Sequence, residues 1–192
     1  MKLLKFILLP LMLSLPIACT SVLVQTVGEE GIEEDPTRRT AGARLEDSSI
    51  RTKIIVNLKS QEPEYRKTRF DVVSHNGVVL IVGQVPNENL KARATQIASE
   101  ASDKIKRIHN ELEVAEKPTL LDISSDAWIS AKVKTQMIAD DGVPAGRVKV
   151  VTEKGCVYLM GLVNQAQGDN AAALARNVSG VNRVVKVFEY VN

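Results

Sequence analysis

The chain has 192 residues, of which 44% are hydrophobic, 25% charged and 4% aromatic. This composition is typical of small globular domains and not of disordered or multispanning membrane proteins. Without Lys2 and Lys5, which lie in the N-terminal segment described next, basic and acidic residues balance at 23 each. Nucleic-acid binding requires clustered excess positive charge, so we expect no nucleic-acid partner.

The N-terminal segment has the pattern of a secretion signal. Lys2 and Lys5 precede an apolar run over 6–17, which is too short to span a bilayer because a span takes roughly 20 residues. Residues 15–19 read Leu-Pro-Ile-Ala-Cys and resemble a bacterial lipobox, with Pro16 where the pattern favours leucine. We predict a signal peptide over 1–18 and fatty acyl chains, such as palmitate, on Cys19; the alternative is an uncleaved anchor.

The resemblance to bacterial lipoproteins implies a location. The residue after the cysteine is Thr20 and not the aspartate that retains such proteins in the inner membrane. We therefore expect a lipid-anchored protein of the outer membrane that faces the periplasm. Acylation of Cys19 leaves Cys156 as the remaining cysteine, so we expect no disulfide. Apart from the acyl chains, we expect no cofactor.

The segment that follows the cysteine has no apolar period. An acidic run at 29–35 and three arginines at 38–44 alternate with glycine and proline. Such a composition predicts a solvated tether over 19–45. The alternative is that the charged blocks form a docking motif.

The remainder of the chain contains an internal repeat. Residues 69–73 (Arg-Phe-Asp-Val-Val) resemble residues 147–151 (Arg-Val-Lys-Val-Val), 78 positions later. At the same offset, 77–83 (Gly-Val-Val-Leu-Ile-Val-Gly) resemble 155–161 (Gly-Cys-Val-Tyr-Leu-Met-Gly). Two copies of one domain are predicted, over 46–116 and 124–192.

Each copy has the pattern helix, strand, strand, helix, strand. Apolar residues every four positions predict the first helix, which begins near Asp47 or Ser48 in one copy and near Ser124, Ser125 or Asp126 in the other. Two β-branched runs joined by a turn ending in glycine predict a hairpin. A second helix and a third strand complete an α+β layer, a three-stranded mixed sheet covered by two helices.

Four glycines, together with this element order, carry a family resemblance: Gly77, Gly83, Gly155 and Gly161. The first of each pair closes the hairpin and the second ends a strand, so we expect structural roles for all four. The pattern, with the Val-Ser-Gly-Val-Asn-Arg-Val run at 178–184, resembles the BON domain. A lipobox followed by two such domains is typical of BON-domain lipoproteins of the outer membrane, and the resemblance implies phospholipid binding.

The sequence contains none of the common catalytic motifs. The sequence contains no nucleophile elbow, zinc-protease, P-loop or paired-cysteine motif, so we expect neither an enzyme nor a metal site. We interpret His75 and His109 as exposed residues without a role. Cys156, at a strand position, is interpreted as a small apolar filler, with a reactive thiol as the alternative.

The candidate binding surface is the first helix of the second copy. Ile129, Val133 and Met137 form its buried stripe, so Trp128, about 100° away, is expected to face outward. Beside it the pattern places four further candidates: Lys132, Lys134, Thr135 and Ile138. An aromatic residue among cations and apolar groups is typical of a membrane interface. The alternative is that Trp128 packs against the first copy.

These observations predict a protein that maintains envelope integrity by binding anionic phospholipid through this helix. The alternative function is a periplasmic adaptor that binds an envelope-assembly or cell-wall protein through its BON domains.

Overall fold

The computed structural model describes residues 35 and 38–191, and residues 38–191 belong to one compact unit, Pro36–Asn192. The predicted signal peptide, Cys19 and most of the predicted tether lie outside the described residues. Within them, helices and strands alternate in the same order twice. The first half contains α1 (Ala41–Gln61), β1 (Arg69–His75), β2 (Val78–Val85), α2 (Glu88–Ser99) and β3 (Arg107–Val114). The second half contains α3 (Leu120–Ile138), β4 (Lys149–Glu153), β5 (Cys156–Val163), α4 (Gln165–Arg176) and β6 (Arg183–Tyr190).

Both halves form a three-stranded mixed sheet, as predicted. In the first sheet β2 is central, antiparallel to β1 and parallel to β3. In the second sheet β5 is central, antiparallel to β4 and parallel to β6. The parallel pairing requires a crossover, and α2 and α4 supply it. The α+β fold class with two repeated domains is confirmed.

The first helix of each domain, α1 or α3, begins earlier than predicted; we call these two the leading helices. The side chain of Thr40 caps α1 and that of Thr119 caps α3, where Asp122 completes a capping box. The predicted starts near Asp47 and Asp126 are therefore wrong, as are those at the adjacent serines 48, 124 and 125. The predicted tether is also too long, because residues 41–45 are helical.

The two aspartates bind the hairpin turns instead of capping helices. The Asp47 carboxylate accepts hydrogen bonds from the N–H groups of Asn76 at 2.8 Å and Gly77 at 3.0 Å. Hydrogen bonds to these donors help to hold the pKa of Asp47 below its usual range, although burial acts in the opposite direction. Asp126 accepts equivalent bonds from Lys154 and Gly155, both at 2.8 Å. Each leading helix is thus tied to the turn of its own sheet.

The four glycines occupy two kinds of position. Gly77 and Gly155, with φ of +77° and +72°, are the second residues of tight hairpin turns, where glycine adopts a left-handed backbone without strain. At Gly83, with φ of +130°, an added Cβ would lie 2.3 Å from the carbonyl oxygen of Arg69. Gly161 meets the same obstacle at the carbonyl of Arg147.

Three apolar clusters form the core. Two lie between a sheet and its helices, one in each half. The third lies between the sheets and joins Leu80 and Val82 of β2 to Tyr158 and Met160 of β5. Because every residue of β2 and β5 is buried, both faces of the central strands are covered. The two domains therefore form four layers, helix, sheet, sheet, helix.

The interpretation of the histidines as exposed residues is wrong. His75 is only 8% exposed, and burial, together with the charge of Arg39, lowers its pKa to about 4. His109 is partly buried, which lowers its pKa, and its Nε2 is buried without a hydrogen-bond partner in the described part of the chain. His75 lies at the domain junction, near Lys149 and Glu189 of the second domain.

Cys156 lies in the cluster between the sheets. Its Sγ accepts a hydrogen bond from Nε of Arg183 at 3.3 Å. The buried thiol therefore packs as the sequence predicts and also receives a guanidinium group, which the strand pattern does not indicate.

Candidate functional surface on helix α3

Helix α3 is apolar on two sides. Its inner side carries Ile129, Val133 and Met137, which are buried in the second domain. Its outer side carries Trp128, which is 64% exposed, and Ile138, which is 69% exposed. A helix on the surface of a domain normally presents polar groups to water, so the outer apolar residues require another explanation.

Two further apolar residues extend this outer side. Leu120 and Leu121, in the first turn of α3, are 84% and 80% exposed. At 100° per residue, they share one sector of the helix with Trp128 and Ile138. We call these four residues the α3 outer stripe. Sequence reasoning missed the two leucines because it placed them in the linker between the domains.

A cation and a shallow groove accompany Trp128. The Lys132 ammonium lies 5.3 Å from the centroid of the indole ring, within the range of a cation–π contact. Between α3 and the turn after α4 lies a groove of about 420 Å³. Besides Trp128 and Lys132, the groove is lined by Ala131, Thr135, Gln136, Asn177, Val178 and Ser179. The groove thus combines one aromatic face with a cation and several neutral hydrogen-bonding groups.

Not all of the predicted lipid-binding residues lie on this surface. Thr135 lines the groove while its hydroxyl donates to the carbonyl of Ala131. Lys134 points elsewhere: its ammonium donates to the carbonyls of Ala145 and Val148, the latter at 2.6 Å. Burial there lowers the pKa of Lys134. The expectation that Lys134 lies beside Trp128 is wrong, because backbone carbonyls bind its charge at the turn before β4.

The alternative position for Trp128, against the first domain, is also wrong. The ring is largely exposed, and the groove beside it is built by residues of the second domain alone. Trp128 therefore stabilises no junction between the domains, and its exposure is a property of α3.

Two observations bear on the wider class of protein. No helix in residues 38–191 is long and apolar enough to cross a bilayer. Over the same residues, no three His, Cys, Asp or Glu side chains come together in a geometry that would hold a metal ion.

Comparison with protein families decides the class. The BON domain model matches residues 46–116 and 125–192. The chain belongs to the BON-domain family. Its similarity to outer membrane lipoprotein DolP of Haemophilus influenzae is 37% identity over 161 residues, which cover 84% of this chain and 82% of that protein. The predicted location at the outer membrane is confirmed by this relative.

Two other relatives cover most of the chain. A 21 kDa hemolysin of Actinobacillus pleuropneumoniae is 39% identical over 153 residues, which are 80% of this BON-domain chain and 78% of the relative. Osmotically-inducible protein Y of Escherichia coli is 29% identical over 164 residues, 83% of this chain and 81% of the relative. The similarity therefore extends across both BON domains.

Proposed function

We propose that this BON-domain protein maintains envelope integrity as a lipoprotein that binds anionic phospholipid through helix α3. The role is one of binding, not of catalysis. The observation that carries the proposal is an exposed tryptophan beside a lysine on a helix whose opposite side is already buried. The similarity to an outer membrane lipoprotein supports the location.

The α3 outer stripe has the chemistry of an interfacial helix. Apolar side chains of such a helix enter the boundary between headgroups and acyl chains, about 5–10 Å deep, while cations remain among the headgroups. Leu120, Leu121, Trp128 and Ile138 supply the apolar part. Lys132 supplies a charge that an anionic headgroup neutralises, and its aliphatic stem can follow the indole ring toward the interface.

The proposed acyl anchor on Cys19 makes a weak contact sufficient. An anchored domain meets the bilayer at a high effective concentration, so the second contact does not need a high affinity of its own. Acyl chains contribute about 0.8 kcal/mol for each buried methylene, and this part of the binding is independent of headgroup charge. Preference for anionic lipid then comes from α3.

The test uses the fluorescence of Trp128, which is the only tryptophan in the chain. The full chain, purified with its N-terminal anchor, is reconstituted in vesicles of phosphatidylcholine with or without phosphatidylglycerol, both containing brominated acyl chains. We expect bromine to quench Trp128 strongly with phosphatidylglycerol and weakly without it. Replacement of Ile138 or Lys132 by Glu should reduce this quenching.

The control is Val56→Glu on α1, the equivalent leading helix of the first domain, where Val56 is also exposed. This variant makes the same charge change as Ile138→Glu, but away from α3, and its Trp128 should be quenched as in the unsubstituted chain. Weak quenching in both lipids would reject the proposal and favour the adaptor function, in which the BON domains bind an envelope-assembly or cell-wall protein.

A further inference from the structure

A second cleft lies where the two domains meet, away from the groove beside Trp128. It has a volume of about 600 Å³ and is bordered by the first half of α1 and by the edge strands β1 and β4. This volume falls within the range of small-molecule sites. No residue that lines it belongs to the α3 outer stripe.

Positive charge predominates in this cleft. Four cationic side chains line it: Arg39, Arg44, Arg51 and Lys149. The two carboxylates are Asp47, which pairs with Arg39 at 2.7 Å, and Asp71, which pairs with Arg51 at 3.0 Å. Neither Arg44 nor Lys149 forms an ion pair with any residue that the structure describes. Because His75 is neutral at pH 7, two of the positive charges that line the cleft are not compensated by any carboxylate of its described lining.

The arginines are not required by the fold. Both domains contain an aspartate that binds the hairpin turn, since Asp47 corresponds to Asp126, 79 positions later. At the same offset the three arginines 39, 44 and 51 correspond to Pro118, Ile123 and Ser130. The second domain therefore builds the same helix, sheet and turn without them. Ser130 instead donates to Thr152 of β4 at 2.8 Å.

One of the paired arginines can exchange its partner. The Arg51 and Asp71 side chains are both about half exposed, at 50% and 52%, and exposed ion pairs are weak. Arg51 Nε also donates to the carbonyl of Val72 at 2.8 Å, which holds the guanidinium at the cleft. An arriving anion would therefore meet an oriented guanidinium group.

We propose that this cleft binds a phosphate group carried by a larger molecule. Two uncompensated positive charges match a phosphate dianion, and guanidinium groups bind phosphate oxygens in pairs. The hydroxyls of Ser48 and Ser74, which also line the cleft, can donate to the remaining oxygens. The cleft has room for the group that carries the phosphate.

The test compares one phosphate chemistry from two sources. The full chain in non-ionic detergent micelles is titrated with glycerol 3-phosphate, and separately with phosphatidic acid added to the micelles, at constant ionic strength set with chloride. Backbone amide shifts of Ser74 and Val151 report on the cleft. We expect saturable shifts there, and about tenfold weaker binding for Arg44→Glu and for Lys149→Glu, the loss expected for one charge-assisted hydrogen bond.

The matched control is Lys53→Glu, which makes the same charge change on an exposed position of α1 that does not line the cleft. Shifts with glycerol 3-phosphate identify a soluble phosphate ester, and shifts with phosphatidic acid alone identify a lipid phosphate; either supports the site. The proposal is overturned by absent shifts with both probes. It is equally overturned if Arg44→Glu and Lys149→Glu bind as Lys53→Glu does.

Discussion

At the scale of single residues, His75 is the group whose environment differs most from its local sequence. It follows Ser74 at the end of a strand and precedes the Asn-Gly turn, a position that indicates exposure. In the folded chain the ring lies at the domain junction near Arg39 and Lys149, and near the carboxylates of Asp47 and Glu189. Burial of the ring disfavours the imidazolium, so the folded state holds His75 neutral until the pH is far below 6.5.

This difference predicts a pH dependence of stability. Below pH 6.5 the unfolded chain takes up a proton at His75, whereas the folded chain does so only near its pKa of about 4. The contribution is complete above pH 6.5 and is lost as the pH falls to 4, on the order of 3 kcal/mol in the free energy of unfolding. Urea titrations across this range should therefore show a flatter profile for His75→Gln.

A profile of His75→Gln that is as steep as that of the unsubstituted chain would contradict this assignment. Carboxylates with ordinary pKa values of about 4 titrate at the lower end of this window in both proteins, so the difference between the two profiles reports on His75.

Residue-level reasoning succeeded where the helical period alone decides orientation. Trp128 faces outward because three buried neighbours occupy the other side of the helix. It failed for Lys134, whose position on the helix is compatible with either of two partners. The carbonyls that bind Lys134 belong to a turn 11 and 14 residues later, and no local pattern encodes that contact.

At the scale of elements, the first turn of α3 links helix capping to the proposed surface. The hydroxyl of Thr119 accepts a hydrogen bond from the N–H of Asp122 at 3.2 Å, and the Asp122 carboxylate accepts one from the N–H of Thr119 at 2.8 Å. Leu120 and Leu121 lie inside this turn. The orientation of both leucines therefore depends on a helix end that the capping box stabilises.

We predict that Thr119→Ala destabilises the protein by about 1 kcal/mol, the usual cost of a lost helix cap. Urea denaturation measures this change, and Thr119→Ser, which retains a hydroxyl, serves as the control. In the vesicle assay the alanine variant should also show weaker quenching of Trp128, because the two leucines become less ordered. Equal stability of the two variants would show that the capping box contributes little.

The element order was predictable, but the helix starts were not. Apolar residues at every second position mark the buried strands, and apolar residues at every fourth position mark the helices. The first turns of α1 and α3 bury no apolar residue, and the first buried position in each is an aspartate, Asp47 or Asp126. An apolar period cannot reveal a helical turn that contributes nothing to the core.

At the scale of the whole molecule, the third apolar cluster makes the two domains one structure. In β2, Ile81 contacts the core of the first domain, whereas its neighbour Leu80 contacts the cluster between the sheets. Separation of the domains would expose the inner faces of both β2 and β5 to water. We therefore expect neither domain to be stable without the other.

This arrangement predicts that substitutions at two adjacent positions affect different parts of the molecule. Leu80→Ala and Ile81→Ala remove similar volumes from fully buried sites, and each should cost about 2–5 kcal/mol. Under native conditions, Leu80→Ala should accelerate amide hydrogen exchange in β5 of the second domain more than Ile81→Ala does. Equal acceleration by the two variants would refute a shared core between the sheets.

The sequence by itself determined the repeat, the αββαβ order, the family and the outward position of Trp128. Each of these depends on local spacing, which period and turn chemistry encode directly. Only the tertiary structure decided that the sheets pack on each other, that His75 is buried and that three arginines and Lys149 share a cleft. Those features join residues about 70 or more positions apart, and no local pattern specifies which solvent-facing side of a strand a second domain will cover.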